Sequence, residues 1–548
     1  MSTPSTLAPT EAATDTAGPS RRTVIAGASV AAAAVATAPL LQAPAAEAAY
    51  LPAVRSYVKT RTPSPATRHM GNRFAYGYTP ALGRQIRAAG GPNAWFNKQL
   101  DPASIDDPRT PAFASWFPTI GLSAYEQFEH QRHDRGWGWN VQVNEARWTL
   151  LRRIHSQRQV HEVMAEFWLN HLHIAADSTL TWLWRHDYDA LIRSHALGRF
   201  DEMLKAAIVH PAMLVFLDAD LSQIERRVRA NGDVIVTDKI NENLGRELLE
   251  LHTVGRTAGY DEDQVKTSAR ILTGWTVDRF STWKWHYDPQ RHYRGPVRVL
   301  GFSDDNSQLD GREVLNRYLH YLAHHPATAQ RIARKLAIRF VSDDPSQTLI
   351  NHLADVFSST GTDIKATLRA LVASREFQQS AGKKVRTPTD DLVATFRVLG
   401  ATINRPVGGL DAANALYFLA QNIGAVPFGW PRPDGQPEIG DAWSSAARML
   451  GSYTVHNGIA GHWRPVTGID YRSHASWLPQ RTIRFDLLVD HMCRKIHGRG
   501  VTRQLLGAAC YVVDITPGEK ITRDHGLVQW KMPRLIGLLL DTPQHLMK

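Results

Sequence analysis

Apolar residues recur every three to four positions along most of the chain from about residue 72, which is the period of an amphipathic helix. The densest run lies between 142 and 175. There Val143, Trp148, Leu150, Leu151, Ile154, Val160, Val163, Met164, Phe167 and Trp168 predict one long helix or two in series. Shorter helical periods with Gly, Pro or polar breaks fall at 80–86, 94–100, 188–194, 199–209, 261–272, 311–322, 327–340, 347–357 and 364–374. They resume at 444–450, 482–496, 501–508 and 527–540. Residues 211–218 form a short apolar run that suits a strand or a helix. The best strand candidate is 231–239, where Asn231-Gly232 supplies a turn and Val234-Ile235-Val236 the β-branched residues. No sustained alternation and no βαβ rhythm follows. The expected class is mainly α, a multi-helix, bundle-like globular architecture with few short strands and long Gly/Pro/Trp loops. The loops are 101–120, rich in Asp and Pro, and 424–443, which holds Pro427-Phe428-Gly429-Trp430-Pro431.

The N-terminus departs from this pattern. Arg21-Arg22 precedes a small-residue apolar run from Ala26 to Leu41, and Ala46-Glu47-Ala48 offers a processing site. The expectation is a twin-arginine signal over 1–48, a receptor-read address for the twin-arginine export machinery and a secreted or cell-envelope location. Pro39 interrupts the run, and no later segment has the unbroken apolar length of a membrane span. The rest divides into an extended lead-in at 49–70, a helical core at 71–385 and a C-terminal helical part at 386–548 packed on that core.

A formal charge of +11 spread along the chain, without basic runs, argues against nucleic acid as partner. It suits an anionic cell-wall or extracellular polymer. Two cysteines, Cys493 and Cys510, leave a single disulfide open and exclude a thiolate metal cluster.

Three clusters hold candidate chemistry. On a helix over 161–173, Glu162, Glu166 and Asn170 share a face, with His173 just beyond and His171 alongside. Carboxylates and histidines so spaced build metal sites in bundles, so Glu162, Glu166 and His171 are the candidate ligands of a divalent metal ion. The competing reading is structural, with Glu162 paired to an arginine and Asn170 and His171 satisfying helix ends. In the tract 241–255, Glu242, Arg246 and Glu250 share a face while Leu244, Leu248 and Leu251 make the apolar stripe, and Gly255 stops the pattern. Glu247 is rotated toward that stripe, which suits an acid or base of raised pKa. Glu247, Glu250 and Glu242 are the candidate catalytic carboxylates. Arg246, Asn243 and Asn170 are candidates to orient substrate. The third cluster is aromatic: Trp275, Trp283, Trp285, Trp430 and Trp443, of which Trp275 and Trp430 are candidate polymer contacts. P-loop, dinucleotide and GxSxG signatures are absent.

Several phrases together resemble the bacterial domain of unknown function 1800 family. They are Phe167-Trp168 with Asn170-His171, His195-Ala196-Leu197-Gly198-Arg199-Phe200, Pro211–Leu214 through Leu217-Asp218, the 241–255 tract, Ala269–Trp275, and the loop from Gly429-Trp430-Pro431 to Trp443. The resemblance spans roughly 70–545 and implies an exported, mainly helical protein; it carries over no catalytic residues. Leu169 stands at the first histidine of the family's Phe-Trp-His-Asn-His phrase, Tyr293 follows His292 in place of an aspartate, and Gly245 replaces the usual alanine. The expected function is a secreted enzyme acting on an extracellular or cell-wall polymer. A non-catalytic glycan-binding surface protein and a cofactor-dependent redox enzyme are the alternatives.

Overall fold

The computed structural model describes residues 52–176, 180–231 and 234–548. The expected signal at 1–48 lies outside the described residues. The fold is mainly α, and among the described residues the strands pair only as two-stranded antiparallel ribbons. From residue 51 onward the chain forms one compact unit. No helix among the described residues is long and apolar enough to cross a membrane.

The long apolar run resolves into two helices, Gly138–His155 and Gln159–His171. Ser156 leaves helical geometry at ψ 142°. Asp107 holds the break, accepting from Ser156 Oγ at 2.6 Å and from the Gln157 N–H at 3.2 Å. The Gln159–His171 helix runs through the core. Phe167 and Trp168 are buried on it, with Trp168 stacked on Phe200 and Phe167 near Phe340. Phe340 stacks in turn on Phe74.

The ambiguous run at 211 is a helix, Pro211–Phe216, started by Pro211 and by His210 Nδ1 accepting from the Ala212 N–H. The expected strand is Val234–Lys239, paired with Gln223–Val228. The lead-in ends earlier than expected, because Ser64 caps the helix Pro65–Phe74 through the Thr67 N–H. The 101–120 loop is built of short 3-10 turns.

Several helices escaped the periodic reading, among them Ala124–Arg132, Pro388–Leu399 and Ala412–Ile423. Pro388–Leu399 is buried nearly all round, Asp390, Asp391 and Thr395 included, so it shows no polar face to set a period. Ala412–Ile423 packs against Ala446–Ala460, which runs well beyond the expected 444–450. Gly451 lets these two meet: a Cβ there would lie 2.1 Å from the Asn422 carbonyl oxygen. Cys493 and Cys510 are both free thiols.

Candidate active site

The helix Pro326–Phe340 organises the site. Its Ile332, Ala333, Leu336, Ala337 and Phe340 are buried, while Arg331, Lys335 and Arg339 follow one another at i, i+4 and i+8 on a second face. Both candidate tracts dock on that cationic face. Arg331 Nε donates to the Leu251 carbonyl at 3.1 Å, Lys335 Nζ lies 3.0 Å from His171 Nδ1, and Arg339 Nη2 donates to Glu166 at 2.8 Å.

The tract 241–255 is helical but irregular. An α-helical Asn243–Glu247 passes into a π-turn, Leu248–His252, before Gly255 stops it at φ +82°. Gly245 has a packing reason to depart from the family's alanine: a Cβ there would meet Ala269 N at 2.6 Å on the Glu262–Ile271 helix. The π-turn brings His252 against the end of the Gln159–His171 helix. His171 Nε2 faces the His252 carbonyl at 3.1 Å, and His252 Nδ1 faces the His171 carbonyl at 3.2 Å. A carbonyl only accepts, so Nε2 of His171 carries the proton and Nδ1 is left as an acceptor for Lys335. Burial first, then Lys335 and His252, keep His171 well below the usual imidazole range and therefore neutral.

The loop beyond Phe428 forms the roof. Asn170 Nδ2 donates to the Gln436 carbonyl at 2.9 Å, and its Oδ1 accepts from the Gln436 N–H at 2.6 Å. Gly435, at φ +77°, is required by this clamp, since a Cβ would lie 2.2 Å from the Asn170 carbonyl oxygen. His173 Nε2 donates to the Trp430 carbonyl at 2.8 Å. The Trp430 indole N–H donates to Asp434, which also pairs with Arg432 at 3.0 Å. Between roof and helix lies a cleft of about 340 Å³ lined by His171, Lys335, Arg432, Asp434, Gln436 and Glu438, among others. Burial, then Arg331, bring the Lys335 ammonium down to about 7, against the pull of Glu438 and Asp434.

The sequence-predicted residues divide. Glu162, Glu166 and His171 do not come together as metal ligands. Both Glu162 oxygens are taken, one by Arg152 Nε and Nη2 at 3.1 and 2.9 Å, the other by Arg193 at 2.6 Å. Burial alone would raise the Glu162 carboxyl, but Arg193 and Arg152 outweigh it and hold it at about 2. Glu166 is bound by Arg153 at 2.7 Å and by Arg339, which also holds Glu438 at 2.9 Å. These acids have no oxygen to spare for a cation and lock helices together. Asn170 spends its amide on the roof.

Glu242, Arg246 and Glu250 form the expected row, with Arg246 lying 3.4 Å from Glu242 and 3.9 Å from Glu250. Arg246 also pairs with Glu262, and Glu250 with Arg256 at 3.0 Å. This row is a solvent-facing ion-pair network, and Asn243 is exposed beside it. Trp275 stacks on Trp285 at 5.0 Å in a separate ribbon and lines no part of the cleft.

Glu247 differs from its neighbours. Its side chain makes no hydrogen bond or ion pair among the described residues. Burial, then the charge of Glu250, raise its carboxyl above the usual range, with Asp434 adding to the effect. Glu247→Gln is therefore expected to fold as the wild type does, with a change in stability within ~0.5 kcal/mol by denaturant titration. A large loss would mean that the carboxylate has a structural partner.

Lys335 was missed in the sequence because nothing beside it marks it. The one available signal was the i, i+4, i+8 row of cations Arg331, Lys335 and Arg339 beside the apolar face of this helix.

No curated protein and no solved structure matches the chain. The model of one family does, described as "Protein of unknown function (DUF1800)", over residues 69–547. The structure thus adds a neutral-histidine and lysine pair in a roofed cleft to what the family motifs announced, and the chain belongs to the DUF1800 family.

Proposed function

We propose that the protein is an exported enzyme working in the Lys335 cleft on an extracellular or cell-wall polymer, with Lys335 as proton acceptor. The observation that carries this reading is a lysine amine 3.0 Å from a neutral imidazole on the wall of an open cleft, where burial and then Arg331 bring the amine down to about 7. An amine of that pKa is half unprotonated at neutral pH, the condition for general-base work. His171 Nδ1 accepts one Lys335 N–H, so the lone pair of the neutral amine is left for the cleft. Arg432 at the roof supplies a cation for an anionic substrate group. Glu247, unpaired on the adjoining tract, is the carboxylate available as a second acid–base group. Export rests on the Arg21-Arg22 signal pattern, and attraction to anionic polymers on the +11 charge.

The test is release of soluble product from isolated cell walls by the wild type and by Lys335→Met. Methionine keeps most of the unbranched side chain and removes the charge from a half-buried place, so the fold is retained. The wild type is expected to release product and the variant to lose ~10²–10⁴-fold in rate. Equal rates would overturn the assignment. A second reading, a glycan-binding surface protein, is favoured by the stacked Trp275–Trp285 pair, whose Trp285 is exposed. It would show as co-sedimentation with the walls, no release by the wild type, and no effect of Lys335→Met.

A further inference from the structure

Two trios of side chains outside the cleft bring metal-ligating atoms within 4.8 Å of one another. The trio Asp391, His456 and His545 is closed. Asp391 accepts from Arg448, Ser452 and His456, and His456 is held on its other nitrogen by Asp541 at 2.7 Å, so no lone pair faces an entry path.

The other trio is open. Asp201 is buried near the start of the Phe200–Ile208 helix, while His320 is exposed and His324 half-buried on the Arg312–His324 helix packed against it. His320 and His324, one turn apart, have ring centroids 4.0 Å apart. His324 Nδ1 donates to the His320 carbonyl at 2.9 Å, which leaves its Nε2 as an acceptor without a proton. His320 Nδ1 lies 3.4 Å from Asp201 Oδ2. That separation is the edge, roughly 3.3 Å, of a tetrahedron with ~2.0 Å metal–ligand bonds. Thr362 donates to the other oxygen, Asp201 Oδ1, at 3.1 Å and fixes the carboxylate. The cations facing Asp201, Arg199 at 3.5 Å and Lys205 at 3.8 Å, stand too far off for tight ion pairs.

We propose that Asp201, His320 and His324 bind one divalent transition-metal ion of the Zn²⁺ class, joining the two helices at the surface. Two imidazoles and one carboxylate suit Zn²⁺, Ni²⁺ or Cu²⁺ and not Ca²⁺ or Mg²⁺. Three protein ligands leave a coordination position for water. The nearby Arg199 and Lys205 weaken the site by like-charge repulsion.

The experiment is calorimetric titration of chelator-stripped protein with zinc chloride, for the wild type, the double variant His320→Ala/His324→Ala, and Asp201→Asn. The wild type is expected to take up one equivalent, and either variant to bind at least ~10-fold more weakly. Without metal the double variant melts with the wild type, since its side chains are at the surface, and added zinc raises only the wild-type melting temperature. The inference is overturned by unchanged stoichiometry and affinity in the double variant, or by a wild type that binds no zinc up to ~100 μM.

Discussion

Glu162→Gln is expected to destabilise the protein by ~3–5 kcal/mol, the cost of breaking a buried ion pair from one side. Glu162 is fully buried, and its two oxygens are the meeting point of Arg152 and Arg193. The amide keeps the shape but supplies no charge and only one acceptor oxygen, so it cannot serve both guanidiniums. Arg193 keeps Asp189, whereas Arg152 has no other carboxylate partner among the described residues. The acid dependence follows from the depressed carboxyl. Its contribution is complete above the ordinary glutamate value of 4.5 and disappears as pH falls through about 2. Denaturant titration at neutral pH and at pH ~3 therefore separates wild type from variant at the first pH more than at the second. Beside the nearly neutral Glu247→Gln, this pair of glutamates tests which acids of the two tracts are structural.

Asp391→Asn is expected to cost a similar ~3–5 kcal/mol, with the opposite limit in pH. Asp391 lies on a helix buried on all sides and gathers Arg448 at 3.2 Å, Ser452 at 2.8 Å, His456 at 3.1 Å and, farther off, His545 at 3.6 Å. Burial disfavours the His456 imidazolium, but Asp391 first and Asp541 with it hold the ring charged, up to about 9. A histidine raised in the folded state stabilises fully below its unfolded value of 6.5, and that contribution is lost as pH rises through about 9. Asp391 itself is held well below its ordinary 3.8, so its contribution fades only toward acid. The stability gap between wild type and Asp391→Asn should then be widest between about pH 4 and 6.5 and narrow from pH 6.5 to 9. A gap constant across that alkaline window would contradict a charged His456.

The helical class, the family and the identity of the two tracts were legible because each rests on local information. Spacing placed Glu162 and Glu166 on one face and Glu242, Arg246 and Glu250 on another, and the structure has both rows. Spacing does not carry the partner. The arginines that bind Glu166 come from positions 153 and 339, and Arg193 reaches Glu162 across 31 residues. That is why a metal set and an ion-pair set read alike in sequence. Lys335 was out of reach for the same reason. Its low pKa comes from burial and then from the Arg331 charge, in a cleft whose roof, residues 432–438, is fixed by Asn170 and a glycine whose backbone no other residue adopts easily. Pro388–Leu399 was missed because a helix buried on every side has no face to betray it.

The reading stands on Lys335 being a half-unprotonated amine within reach of solvent at neutral pH. Labelling with an amine-selective acylating reagent from pH 5 to 10, read at each lysine by peptide mass spectrometry, measures this directly. The half-point expected for Lys335 is near 7. A Lys335 half-point near the ordinary 10.5, or no reaction until the protein unfolds, would contradict it.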